Sequence, residues 1–279
     1  DTELDTITAG VLRIGKSDSG AITVSNSISP ALTSTLSLIN GSSISQSAAA
    51  LINSFYLRIS SGGVVTLNES NNVNTIAADV TGITNSFAFT NTAAITVGTV
   101  DGVSGISTVD GDINIDTLNG SIIVNQAVNA GAGEVTLAAN GTNRFLSLNG
   151  NLVGSTVNLS STSTISQATS DIIAGTLNVT NTNGDVSLFS SSNDIDVLGT
   201  IDVGTNTFGL TDHVASGVTQ SGPLTAGTFT YTNNLGTTTL TNAANAVSNF
   251  GNILTSGQTF NFTNTVDLAQ TGTLTADNF

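Results

Sequence analysis

The chain has 279 residues, with Lys+Arg 4 against Asp+Glu 19, for a formal net charge of −15, and only 8% of residues are charged. So few cations cannot neutralise a phosphate backbone or hold an anionic leaflet, which excludes nucleic-acid binding and electrostatic membrane docking. With Cys 0 there is no disulfide, thiolate site or zinc ribbon.

Ser, Thr and Asn together make up roughly 40% of the chain, far above the usual share in a globular domain. Yet 38% of residues are hydrophobic and the mean hydropathy is +0.24, so the chain has enough apolar surface to fold. No apolar run approaches the ~20 residues of a membrane span, and membrane insertion is not expected. Met is absent and the chain opens Asp1-Thr2-Glu3-Leu4, which reads as a piece of a longer polypeptide. A lack of Cys suits a chain exported unfolded across a bacterial envelope.

In chain order, Ala21-Ile22-Thr23-Val24 is the first clear alternation of apolar and polar residues. Val64-Val65-Thr66-Leu67, Asp112-Ile113-Asn114-Ile115-Asp116 and Glu134-Val135-Thr136-Leu137 repeat it. A period of two marks half-buried strands, and the Asn, Gly, Asp and Ser clusters between them mark turns. The segment 46–53, Gln-Ser-Ala-Ala-Ala-Leu-Ile-Asn, is the one stretch that reads as helical. A pattern Gly-x-apolar-x-apolar begins at Gly20, Gly63, Gly111, Gly120, Gly133 and Gly184, with a weaker copy at Gly236. Glycine at a strand entry suits a tight corner or a close approach to a neighbouring backbone.

Longer repeats decide the architecture. An offset of 121 residues carries Ile44-Ser45-Gln46 onto Ile165-Ser166-Gln167, and Gly63, Val65, Leu67, Asn72, Phe87 and Phe89 onto Gly184, Val186, Leu188, Asn193, Phe208 and Leu210. An offset of 52 carries Leu188, Asn193, Phe208 and Leu210 onto Leu240, Asn245, Phe260 and Phe262. Gln220 to Phe229 recurs 50 residues on as Gln270 to Phe279. Short strands repeated without helical crossovers predict an all-β fold, a right-handed parallel β-helix (solenoid) spanning residues 1–279 as a single segment. With about 20 residues per coil at the ~4.8 Å strand spacing, roughly 14 coils and a rod of about 65 Å are expected. The predicted inward column comprises Ile22, Val24, Val65, Leu67, Phe87, Phe89, Val135, Leu137, Val186, Leu188, Phe208, Phe260 and Phe262. Asn72, Asn193 and Asn245 are placed at corners, where an amide can bond neighbouring backbone. Neither terminus reads as a cap, so further coils of the same parent chain, or further copies of the chain, are the expected partners at its ends.

At these residues the sequence resembles the repeat region of filamentous-haemagglutinin-like exoproteins, the large adhesins secreted by two-partner or autotransporter routes. The phrases that carry the resemblance are Thr6 to Ile14, Gly20 to Val24, Ile44-Ser-Gln46, Asn71 to Ala78 and the Gln220 and Gln270 repeats. The resemblance implies a right-handed β-helical shaft at the bacterial cell surface, with no catalytic residues to carry over.

Side chains that might carry chemistry are few. His213, beside Asp212, is the only histidine, and without a Gly-x-Ser-x-Gly elbow it reads as a solvated loop residue. Asp110, Asp112 and Asp116 alternate along one strand, with Asp194 and Asp196 as a second pair. They form a weak Ca²⁺ candidate, because the cation needs six to eight oxygens and the Gly-Gly-x-Gly-x-Asp calcium repeat is absent. Arg13, Lys16, Arg58 and Arg144 are scattered in sequence, which argues against a polysaccharide lyase. The residues at Thr237 to Thr239 lack the regularity of an ice-binding face. The expected role is therefore a non-enzymatic stalk or fibre without a cofactor. The alternatives are a filament assembled by end-to-end coil stacking, or a face that binds host or neighbour-cell glycan or protein, with Tyr56 and Tyr231 as the exposed aromatic candidates.

Overall fold

A computed structural model describes residues 2–279. The chain divides into two compact units, one running to Gly141 and the other from Thr142 to Phe279. Each is a β-solenoid of stacked parallel strands, and the two hold about 12 coils between them. Register advances by 22, 21 and 22 residues from Ile22 to Ile44, Val65 and Phe87, and by 26 from Phe87 to Ile113, where the coil also carries the Thr99–Val100 and Val103–Ser104 strands, so the coils are longer than the predicted 20 residues. Among the described residues there is no α-helix, only a 3-10 turn at Leu4–Thr6.

The predicted helix over 46–53 is absent. The strand Ile44–Gln46 ends there, Ala49 takes φ 62, and the next strand opens at Asn53. Three consecutive alanines favour helix locally, but the Gln46 side chain donates to Ala50 O at 2.8 Å and holds the segment as a corner.

Parallel pairing stacks like on like. In the first unit Ile22, Ile44, Val65, Phe87, Ile113 and Val135 succeed one another across adjacent coils. Beside them run Leu67, Phe89, Ile115 and Leu137. In the second unit Leu146, Ile165, Val186, Phe208, Phe229 and Phe250 form the matching file. Because the side-chain period of a strand is two, one such file fixes which face of every coil is inside. The rings of Phe208 and Phe229 stack with centroids 5.8 Å apart and planes 5° from parallel.

Eleven of the thirteen predicted core residues are buried. Ile22 and Phe262 are half-buried, and they correct the expectation. Ile22 pairs with Ile44, and Phe262 pairs with Leu240 and packs against the rings of Phe229, Phe250 and Phe260.

The corner glycines act by close approach. A Cβ on Gly120 would lie 2.2 Å from the Ala93 carbonyl carbon, and one on Gly111 would lie 2.0 Å from Asn85 O. Gly20 departs from the pattern, since a Cβ there would meet nothing within 4 Å.

Phe229, fully buried between Phe208, Tyr231 and Phe250, should cost about 3–5 kcal/mol when truncated to alanine. The exposed Phe55 should cost under about 0.5 kcal/mol. Urea unfolding of F229A and F55A measures both, and equal losses would mean that the inward file is not the core.

Candidate functional site

The distinctive chemistry of the molecule lies in side-chain amides at buried corners. Asn71 Oδ1 accepts from Gln46 Nε2 at 2.7 Å and from the Ile52 N–H at 2.8 Å. Its Nδ2 donates to Leu67 O at 3.0 Å and to Thr90 O at 3.1 Å. One side chain thereby joins its own coil to the coil before and the coil after.

The second unit repeats this arrangement twice. Asn193 accepts from Gln167 Nε2 at 2.7 Å and the Ile172 N–H at 2.9 Å, and donates to Thr211 O at 2.9 Å. Asn245 accepts from Gln220 Nε2 at 2.6 Å and the Leu224 N–H at 2.8 Å, and donates to Thr263 O at 3.0 Å. All three asparagines are fully buried. In each clamp the glutamine Oε1 also accepts a backbone N–H of the following coil, from Glu69, Ser190 and Asn242.

The predicted corner residue Asn72 is a correction. It is exposed, and its amide reaches only the Asn53 side chain at 3.1 Å. The reason is a difference in coil length. The clamp asparagine follows the inward leucine by four residues at Leu67 and by five at Leu188 and Leu240, so a strict offset of 121 lands one residue late. The repeated glutamine and the repeated asparagine were both visible in the sequence, but their pairing across coils was not.

Two of the three acidic candidates, Asp110 and Asp112, are spent on backbone. Asp110 Oδ1 accepts the Ala132 N–H at 2.9 Å, and Asp112 Oδ1 accepts the Glu134 N–H at 2.9 Å, each one coil on. Asp116 accepts from the Asn140 amide, and burial raises its carboxyl above the ordinary carboxylate range. Among the described residues no three His, Cys, Asp or Glu side chains converge to hold a metal ion. Asp185, Asn178, Asn234 and Asn252 accept the N–H of Thr207, Thr200, Ser256 and Thr273 in the same manner as Asp110.

A second cluster was not foreseen. Thr99–Val100 and Val103–Ser104 form the antiparallel hairpin of the first unit, turned by Asp101 at φ 46 and Gly102 at φ 85. An Asp-Gly pair with both φ positive is the preferred two-residue hairpin turn, and that dipeptide was the signal available in sequence. The hairpin carries Asp101 onto Arg13, Ser37 and Arg58, which stand in register on three successive strands. Asp101 accepts from Arg13 Nε at 2.8 Å, Ser37 Oγ at 2.7 Å and Arg58 Nη1 at 3.4 Å. The four cations scattered in sequence are thus not all scattered in space. The hydrogen bond from Arg13 is the main force that holds the Asp101 carboxyl down at about 2, against the opposing cost of burial and with help from Ser37 and Arg58.

His213 is exposed, and its backbone N–H donates to Asn193 O at 2.8 Å. The adjacent Asp212 turns inward and accepts the Ile195 N–H at 3.0 Å. Tyr231, predicted as an exposed aromatic, is fully buried, with its hydroxyl 3.1 Å from Thr238 Oγ1. Tyr56 is 37% exposed and lies edge-on to Phe55, with centroids 4.7 Å apart.

No protein-family model, curated protein or solved structure matches the chain.

Replacing Asn193 by alanine leaves the Ile172 N–H, the Gln167 amide and Thr211 O without their partner. With about 1–3 kcal/mol lost per stranded group, N193A should cost about 3 kcal/mol or more, and N72A under about 0.5 kcal/mol. Chemical denaturation compares them, and a neutral N193A would remove the clamp as a source of stability.

Asp101 generates a pH signature. Its folded value of about 2 lies below the ordinary 3.8, so its stabilisation is complete above about pH 4 and disappears as pH falls towards 2. D101N should therefore be less stable than the parent at pH 7 and converge with it near pH 2. Parallel denaturation curves at the two pH values test this, and an offset that persists at pH 2 would rule out ionisation as its origin.

Proposed function

We propose that this chain is a load-bearing, non-enzymatic segment of a secreted bacterial surface adhesin of the filamentous-haemagglutinin kind, working as a stalk or fibre. The observation that carries the reading is the three-coil amide clamp, present in both units. A coil peeling from a parallel stack breaks its ladder bonds one after another. Where an asparagine also grips the coils on both sides, the same step must disrupt buried amide bonds of two further coils, which raises resistance without covalent crosslinks.

The surface agrees with this role. Strand faces rich in Ser, Thr and Asn stay hydrated at low charge, and a net charge of −15 disfavours lateral sticking between like shafts. The sequence phrases that resemble those of large exoproteins support an extracellular, cell-surface reading. The mechanism calls on no metal or cofactor, and the partners are neighbouring coils of a parent chain or further copies.

A second reading, a face that binds glycan or protein, draws on the Phe55 and Tyr56 pair, two adjacent exposed rings on one strand. Exposed aromatic side chains bring a large apolar contact area to an interface.

Two measurements test the leading reading. Antibodies raised against the chain should label intact source cells as strongly as permeabilised ones, and label confined to permeabilised cells would overturn the surface assignment. Under force in optical tweezers, the chain should yield in steps of about one coil, and N193A should lower the force of one step. Collapse in a single low-force event would overturn the load-bearing role.

A further inference from the structure

Asn91, Asp212 and Asn264 occupy one position of the coil, separated by the same offsets of 121 and 52 residues that relate the repeats. Asn91 Oδ1 accepts the Val73 N–H at 2.9 Å, and its Nδ2 donates to Val73 O and Ala93 O, both at 3.0 Å. Asn264 Oδ1 accepts the Val247 N–H at 2.9 Å, and its Nδ2 donates to Val247 O and Val266 O, both at 2.8 Å. The amide serves as acceptor and donor at once, closing the corner against the preceding coil.

Asp212 reproduces half of this. Its Oδ1 accepts the Ile195 N–H at 3.0 Å, while Oδ2 is buried with no hydrogen-bond partner, in a residue that is 2% exposed. Oδ2 stands where the other two corners carry an N–H donor. A carboxylate has no hydrogen to give, whereas a carboxylic acid has one.

We propose that Asp212 is held as the neutral acid, its Oδ2–H taking the donor role of the amide Nδ2 in the equivalent corners, so that this corner is a pH-sensitive latch that loosens when the proton leaves.

The surroundings favour the neutral form. Asp194, on the preceding coil, adds charge of the same sign. Tyr231, on the following coil, is a buried neutral phenol bonded to Thr238. His213, next in the chain, is exposed. No Lys or Arg occurs after Arg144, so the sequence around this corner offers no permanent cation to compensate a buried carboxylate. Burial drives the Asp212 carboxyl up to about 7, outweighing the backbone N–H groups near it, the Ile195 N–H foremost, that pull it down.

The sign of the effect follows. A folded value above the ordinary 3.8 means that the folded chain binds the proton more tightly than the unfolded chain. This contribution is greatest below about pH 4, declines as pH rises from about 4 to 7, and is gone above. It does not overlap the window in which Asp101 titrates.

The decisive experiment compares the parent chain, D212N and N91D by thermal unfolding at pH 4.5 and 8.5, with the Asp212 carboxyl carbon followed by NMR in the parent chain. D212N should melt several degrees above the parent at pH 8.5 and lose that lead at pH 4.5. N91D should acquire a loss of stability at pH 8.5 that its parent lacks at that corner. The Asp212 signal should titrate with a midpoint near neutrality. A D212N variant no more stable than the parent at pH 8.5, or a carboxyl signal that moves near pH 4, would overturn the latch.

Discussion

A parallel coil laid on another buries its corners as well as its strands, and at a corner the backbone N–H and C=O groups turn out of the ladder. An unpaired buried amide group costs about as much as a hydrogen bond is worth, so every corner needs a side chain able to answer it. This requirement accounts for most of what is unusual in the chain. Asparagine answers it best, since one amide accepts an N–H and donates to a carbonyl. Asn71, Asn193 and Asn245 serve one corner in this way, and Asn91 and Asn264 another. Serine and threonine answer it with a hydroxyl, as Ser61 does for Ser42 O and Gly63 O, and Thr117 for Gly120 O.

The same requirement governs the acidic residues. An aspartate at an outward corner accepts the N–H one coil on, as Asp110 and Asp112 do, and stays exposed to water. Moved to an inward corner, as at Asp212, the same side chain loses its water and gains nothing that can give a proton to its second oxygen. Position along the coil therefore separates a carboxyl that faces water from one that is buried with an oxygen unanswered. Asp101 is the third case, nearly buried but surrounded by two guanidinium groups and a hydroxyl.

Stability within each solenoid unit is thus shared between an apolar file and a set of polar joints. The file is interchangeable in its details, since Ile44, Val65 and Phe87 fill successive places. The joints are not interchangeable, because each has a fixed count of donors and acceptors. The hairpin at 99–104 adds a lateral brace, lying over the outward face of three strands whose Arg13, Ser37 and Arg58 would otherwise face water.

What the sequence by itself determined was the strand period, the repeat offsets and, from them, a parallel solenoid with Val65, Leu67, Phe87, Val186 and Phe208 inside. These follow from local alternation and from recurrence, which survive in one dimension. The helix expected over 46–53 did not form, because local propensity yields to a corner held by a contact from Gln46. Only the tertiary structure decided that Gln46 meets Asn71, that Asn71 and not Asn72 is the clamp, that Tyr231 is buried, and that Asp101 meets two arginines. Those outcomes depend on which residue of one coil lies over which residue of the next. A single residue more or less in a corner resets that register, and no feature local to the corner announces it.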